Sequence, residues 1–209
     1  RLFQDRVPDQ DATVVARLRE AGAILLGKLN LAELALGGTR QPPAGVPRNP
    51  WDPERIPGDS SSGSGIAVAA HLCAASLGED TAGSGRTPAS YCGIVGLRPT
   101  YGRVSRHGAS SMCWHMDTPA PMTKTVEDCA LVLGAGAGAD SLDPFTCWRS
   151  VPDYTAGLSD PIRGIRIGII RELDQGDILD PEVRSVLGEA GETLRGWGAQ
   201  VREVSIPLA

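Results

Sequence analysis

Two glycine- and serine-rich loops constrain this chain more than any other feature. Gly58-Asp59-Ser60-Ser61-Ser62-Gly63-Ser64-Gly65 runs without a break into Ile66-Ala67-Val68-Ala69-Ala70-His71-Leu72, an apolar helix of small residues. A flexible linker of the same composition has no reason to continue into such a helix. A strand-like Ala74-Ala75-Ser76-Leu77 follows, and then a second loop, Thr81-Ala82-Gly83-Ser84-Gly85-Arg86. In both loops small residues surround a hydroxyl. Small residues let another backbone or a ligand approach and let main-chain N–H groups point inward. Acyl transfer requires a nucleophilic hydroxyl beside such donors, because negative charge develops on the carbonyl oxygen.

The rest of the chain alternates helix and strand signals. Asp11 is a candidate N-cap for a helix carrying Val14, Val15, Leu18 and Ala21, closed by Gly22. Ala23–Leu26 reads as a buried strand and Leu31–Leu36 as a second helix. From Gly37 to Gly58 proline and glycine predict loop. Thr125-Val126-Glu127-Asp128 is a capping box with Asp in place of Glu, continued by a helix through Leu133. Ile165–Ile169 predicts a strand. Asp180-Pro181 opens a helix whose buried stripe is Val183, Val186, Leu187, Ala190 and Leu194, and Gln200–Ile206 returns as a strand. This alternation places the chain in the α/β class, with a mixed sheet covered by helices. The polar start, Arg1 to Gln10, and the end at Ala209 both read as cuts through something longer.

Composition narrows the function. A formal net charge of −5 and scattered basic residues argue against nucleic-acid binding. Apolar runs are too short to span a bilayer, and no charged-then-apolar leader opens the chain. The five cysteines form no Cys-x-x-Cys pair, so reduced thiols in a cytoplasmic protein are the simplest account. Asp117, Asp128, Asp140 and Asp143 are too dispersed for a metal site. A Ser–His–Asp hydrolase would need His71, His107 or His115, but Ala82 breaks the Gly-x-Ser-x-Gly elbow at Ser84. His71 reads as a packed helix residue, and His107 and His115 as loop residues or pocket lining.

Taken with their surroundings, the loops resemble the amidase-signature family. The segments that carry the resemblance are Gly27-Lys28-Leu29-Asn30, Arg48-Asn49-Pro50-Trp51-Asp52, Pro57–Ser64, Asp80–Arg86, Tyr91–Ser105 and Pro121–Asp128, in that order. It is dense over 11–138 and looser over 139–209, which implies that 1–209 is part of one amidase domain. It also implies a Ser–Ser–Lys triad, a variant of the familiar Ser–His–Asp logic. Ser84 would attack a carboxamide and form an acyl-enzyme, with Ser60 relaying its proton. The N–H groups of Thr81, Ala82, Gly83 and Ser84 would form the oxyanion hole, and the Asp59–Ser60 bond would be cis. Asp80 and Arg86 flank the nucleophile loop and are expected to brace it, with Ser61 supporting. No metal or organic cofactor is implied. The family's lysine lies upstream in a Gly-x-Pro-x-x-x-Lys-Asp segment that nothing here matches, and Lys28 belongs to a different motif. The chain alone is therefore expected to be nearly inactive. Asp59, Ala82 and Ala120 replace usual glycines and would be strained if their φ were positive. The functional readings are an amidase acting on a small amide, a glutaminase-like subunit of a tRNA-dependent amidotransferase with partner subunits, and a non-catalytic amidase-like module. Homo-oligomerisation stays open.

Overall fold

The computed structural model describes residues 5–36, 45–174 and 179–207. The loop expected over 37–44 and the two chain ends lie outside them. Two compact units divide the chain, Arg1–Leu158 and Ser159–Ala209.

In the first unit α1 spans Thr13–Glu20. Its N-cap is Ala12 rather than the expected Asp11, whose carboxylate instead pairs with Arg19 at 2.6 Å. Gly22 ends the helix with φ +92°, as its sequence position predicts. Beyond it, the strand expected at Ala23–Leu26 does not form. Ile24 is 86% exposed and Leu26 73%, with no neighbouring strand to pair with among the described residues. The helix expected over Leu31–Leu36 shrinks to a 3-10 turn, Glu33–Ala35.

The Ser60 loop leads into α2 (Ser62–Ala69), which begins four residues earlier than its apolar run because Ser62, Gly63, Ser64 and Gly65 are themselves helical and buried. Then come β1 (Ala75–Glu79), α3 (Arg86–Cys92), β2 (Val95–Gly96), β3 (Pro119–Thr123) and α4 (Val126–Gly136). The strands form an antiparallel sheet ordered β1-β3-β2. Its central strand β3 is buried throughout and contains two prolines, Pro119 and Pro121. Proline lacks the ladder N–H, so central positions usually exclude it. Pro121 accepts a bond from Leu97 N–H on its β2 side, whereas β2 itself pairs only with Met122 and Thr123. The edge that lacks donors therefore faces the side where β2 has ended. The core packs Val14 of α1 with Val104 and with Leu133 and Ala137 around α4. Thr125 caps α4 as expected, accepting from Asp128 N–H at 3.1 Å.

The second unit is a β–α–β element: β4 (Arg166–Ile170), α5 (Pro181–Gly196) and β5 (Gln200–Val204), with the strands parallel. Asp180 caps α5 by accepting from Glu182 N–H at 2.8 Å, as the Asp-Pro pair predicts. The stripe expected to be buried is not: Val183, Val186 and Leu187 are exposed, and only Gly191 of α5 is buried. A two-stranded sheet is too narrow to cover the whole apolar face of a four-turn helix. The α/β class stands, with an antiparallel sheet in one unit and a parallel pair in the other.

Candidate active site

The site is built on one buried serine. Ser61 is 1% exposed. Its N–H donates to Ser84 O at 3.2 Å, while its hydroxyl accepts from Glu79 N–H at 3.0 Å and donates to Glu79 O. It thereby ties the Ser60 loop both to the end of β1 and to the second loop that β1 feeds. Ser64 and Ser76 add two further bonds between α2 and β1. Glycines let α3 and the Asn30 segment close on the same loop. A Cβ on Gly58 (φ +79°) would stand 2.9 Å from Pro88 Cα, and one on Gly63 would stand 2.5 Å from Asn30 N. Gly63 N–H donates to Asn30 O at 2.7 Å, so the Gly27–Asn30 segment is docked on the Ser60 loop. The Arg48–Asp52 segment serves the other helix. Asn49 and Trp51 donate to Tyr91 O and Cys92 O, satisfying carbonyls in the last turn of α3.

The Asp59–Ser60 bond is cis. Ser60 is 5% exposed and Ser84 half-buried, and neither hydroxyl has a hydrogen-bond partner among the described residues. Asp59, Ala82 and Ala120 have no positive φ, so the strain considered for them does not arise. The residue that does take a left-handed conformation within the loop is Gly83, at φ +131°.

Asp80 organises the second loop from inside. Its side chain is fully buried and accepts from the N–H groups of Gly83, Gly85 and Arg86, and from Arg86 Nε at 2.9 Å and Nη2 at 3.0 Å. Arg98 approaches the same carboxylate at 3.4 Å and donates to Asp80 O. Burial pushes the Asp80 carboxyl up, but the Arg86 bonds and the loop N–H groups outweigh it and hold the group below its ordinary value. Gly83 N–H is therefore spent on Asp80. Of the four N–H groups expected to face a substrate oxyanion, those of Thr81, Ala82 and Ser84 have no protein acceptor among the described residues.

Asp117, 1% exposed, holds the loop from the other side. It accepts from Thr81 Oγ1 at 2.5 Å, from Ser111 Oγ at 2.7 Å, and from the N–H groups of Met112 and Cys113. Sequence reasoning weighs Asp117 only as a metal ligand and Arg98 only as part of a motif. Each is a single polar residue in a loop, with no spacing to mark it. Asp143 and Asp140 also serve as hydrogen-bond hubs, and no cluster able to hold a metal occurs among the described residues.

The other candidates lie elsewhere. His71 is exposed, in the turn that ends α2, rather than packed. His107 lines a cleft of about 210 Å³ with Glu79, Arg106, Trp114 and Asp117, while His115 lies beside Cys113. Burial and the neighbouring Asp117 raise the Glu79 carboxyl to about 7, against an opposing pull from Arg106. Lys124 Nζ donates to Ala69 O at 3.0 Å, at the opposite end of α2 from Ser60, and Lys28 is exposed.

Two bare serine hydroxyls thus lie on loops joined by a buried third serine, beside loop N–H groups with no acceptor among the described residues. The chain belongs to the amidase family, whose model matches residues 1–209. The glutamyl-tRNA(Gln) amidotransferase A subunit of Syntrophobacter fumaroxidans is 51% identical over 208 residues, covering 99% of this chain and 43% of that protein. The crystal structure of the Thermotoga maritima protein of the same name matches with a TM-score of 0.91 at 41% identity, over 99% of this chain and 46% of that one. Native peptide amidase from Stenotrophomonas maltophilia matches with a TM-score of 0.88 at 42% identity, over 98% and 43%. The chain thus spans less than half the length of these relatives. Among its described residues no helix is long and apolar enough to cross a membrane.

Proposed function

We propose that these residues carry the nucleophile of a glutaminase-type amidase, the A subunit of a tRNA-dependent amidotransferase. The observation behind this reading is the pair of unengaged hydroxyls, Ser60 and Ser84, on loops joined by Ser61. The choice of an amidotransferase component over a free-standing amidase rests on the A subunits of Syntrophobacter fumaroxidans and Geobacter sulfurreducens, each 51% identical over 99% of this chain.

In this scheme Ser84 Oγ attacks the carboxamide carbon. Its proton passes to Ser60, which gives up its own to a base. The N–H groups of Thr81, Ala82 and Ser84 receive the oxyanion, a contribution worth about 3 kcal/mol per donor in acyl-transfer sites. Ser60 then protonates the leaving nitrogen, ammonia departs to a partner, and water releases the acid from Ser84. Lys124 is engaged at the far end of α2 and the Ser60 hydroxyl has no lysine partner among the described residues, so the base is proposed to come from outside them.

The test uses the complete protein that contains this chain. A fluorophosphonate probe should label Ser84, and Ser84→Ala should abolish both labelling and ammonia release from glutamine. Co-purification with other subunits is expected. Labelling of a protein that hydrolyses simple amides but not glutamine would favour the free-standing amidase. A well-folded complete protein that resists the probe would leave the non-catalytic reading in its place.

A further inference from the structure

We propose that Asp117 and the Thr81 hydroxyl are positioning residues that set the oxyanion donors of the Ser84 loop, an inference that rests on the reading of Ser84 as nucleophile. The loop from Thr81 to Gly85 is short, rich in glycine, and free to adopt many backbone conformations unless it is pinned. Asp80 pins its far half, through Gly83, Gly85 and Arg86. It makes no bond to the first two residues, Thr81 and Ala82, whose N–H groups are uncommitted. The near half is held by Thr81 Oγ1 donating to Asp117 Oδ1 at 2.5 Å, a buried contact.

Asp117 is built as a fixed anchor. Its second oxygen takes three donors, from Ser111 Oγ and the N–H groups of Met112 and Cys113, at 2.7 to 2.9 Å. Burial raises its carboxyl, but these donors and Thr81 outweigh that and keep it below its ordinary value, so it stays a charged acceptor at neutral pH. A hydrogen bond to a buried ionised acceptor is about twice as strong as a neutral one. Asp80 holds one part of the loop and Asp117 the other, while the N–H groups of Thr81, Ala82 and Ser84 have no acceptor among the described residues. Preorganised donors stabilise a developing charge without reorganising as it forms. Neither Thr81 Oγ1 nor Asp117 needs to touch the substrate, so their loss should slow the chemical step and leave binding intact.

The experiment measures fluorophosphonate labelling of Ser84 and glutamine hydrolysis in the complete protein, separating the maximal rate from the half-saturating concentration. Thr81→Val, which keeps the side-chain shape and removes the donor, is expected to lower the maximal rate roughly tenfold to a hundredfold, with the half-saturating concentration changed less than about twofold. Thr81→Ser restores the donor and should recover most of the rate. Asp117→Asn can keep its oxygen toward the 111–113 turn while weakening the bond to Thr81, and is expected to fall between them. A full rate in Thr81→Val, or a loss in Thr81→Ser equal to that in Thr81→Val, overturns the proposal. A loss confined to half-saturation overturns it too, because the pair would then act in binding. Absence of labelling in the unaltered protein overturns the assignment of Ser84, and this inference with it.

Discussion

At the residue scale, buried carboxylates decide most of the site, and they do not all behave alike. Asp80 and Asp117 are surrounded by donors and stay ionised. Glu79, next to Asp80 in sequence, has no donor to its carboxylate among the described residues and is raised to about 7. Its folded-state value lies above its unfolded one, near 4.5, so the native state holds the proton more tightly. Stability must then fall as pH rises from about 4.5 to 7, and the penalty is fully present above 7. Glu79→Gln removes it. In the full-length protein the variant's advantage in unfolding free energy, read from denaturant titration, should widen from pH 5 to pH 8 by on the order of 2 kcal/mol. A constant gap between the two would mean that Glu79 titrates normally.

At the element scale, helix ends illustrate how far local signals carry. Three helices end in the same two bonds with glycine in the left-handed position, at Gly22, Gly93 and Gly198. α2 ends in the same pattern, with His71 N–H donating to Val68 O and Leu72 N–H to Ala67 O, yet the left-handed residue is histidine at φ +59°. A side chain there costs about 1 to 2 kcal/mol. His71→Gly should therefore stabilise the protein by about 1 kcal/mol after the added freedom of the unfolded chain is counted. The denaturant midpoint measures it, and destabilisation would show that the exposed imidazole has a role beyond the turn. The caps at Thr125 and Asp180, and the strands β1, β4 and β5, were legible in the sequence because each depends on residues within a few positions. β3 was not. Its two prolines disguise it, and it is tolerated at the centre of the sheet only because β2 is two residues long.

At the scale of the whole molecule, apolar surface is the dominant feature. Ile24, Leu25, Leu26 and the Val183–Val186–Leu187 stripe are all exposed, in stretches whose sequence marks them for burial. The isolated 209 residues are predicted to bind a hydrophobic dye, to melt broadly and to release no ammonia from glutamine. A sharp cooperative melt with little dye binding would contradict this. The sequence by itself determined the α/β class, the two serine loops with their cis bond, and the acid at Asp80 that braces its own loop, because these rest on local spacing and on a dense resemblance. Contacts between distant segments fix which N–H groups lack an acceptor among the described residues, that Ser61 bonds to both loops, and that Asp117, 36 positions beyond Thr81, accepts from its hydroxyl. Burial and hydrogen-bond partners are set by what folds against a residue from far along the chain, and no local pattern records that.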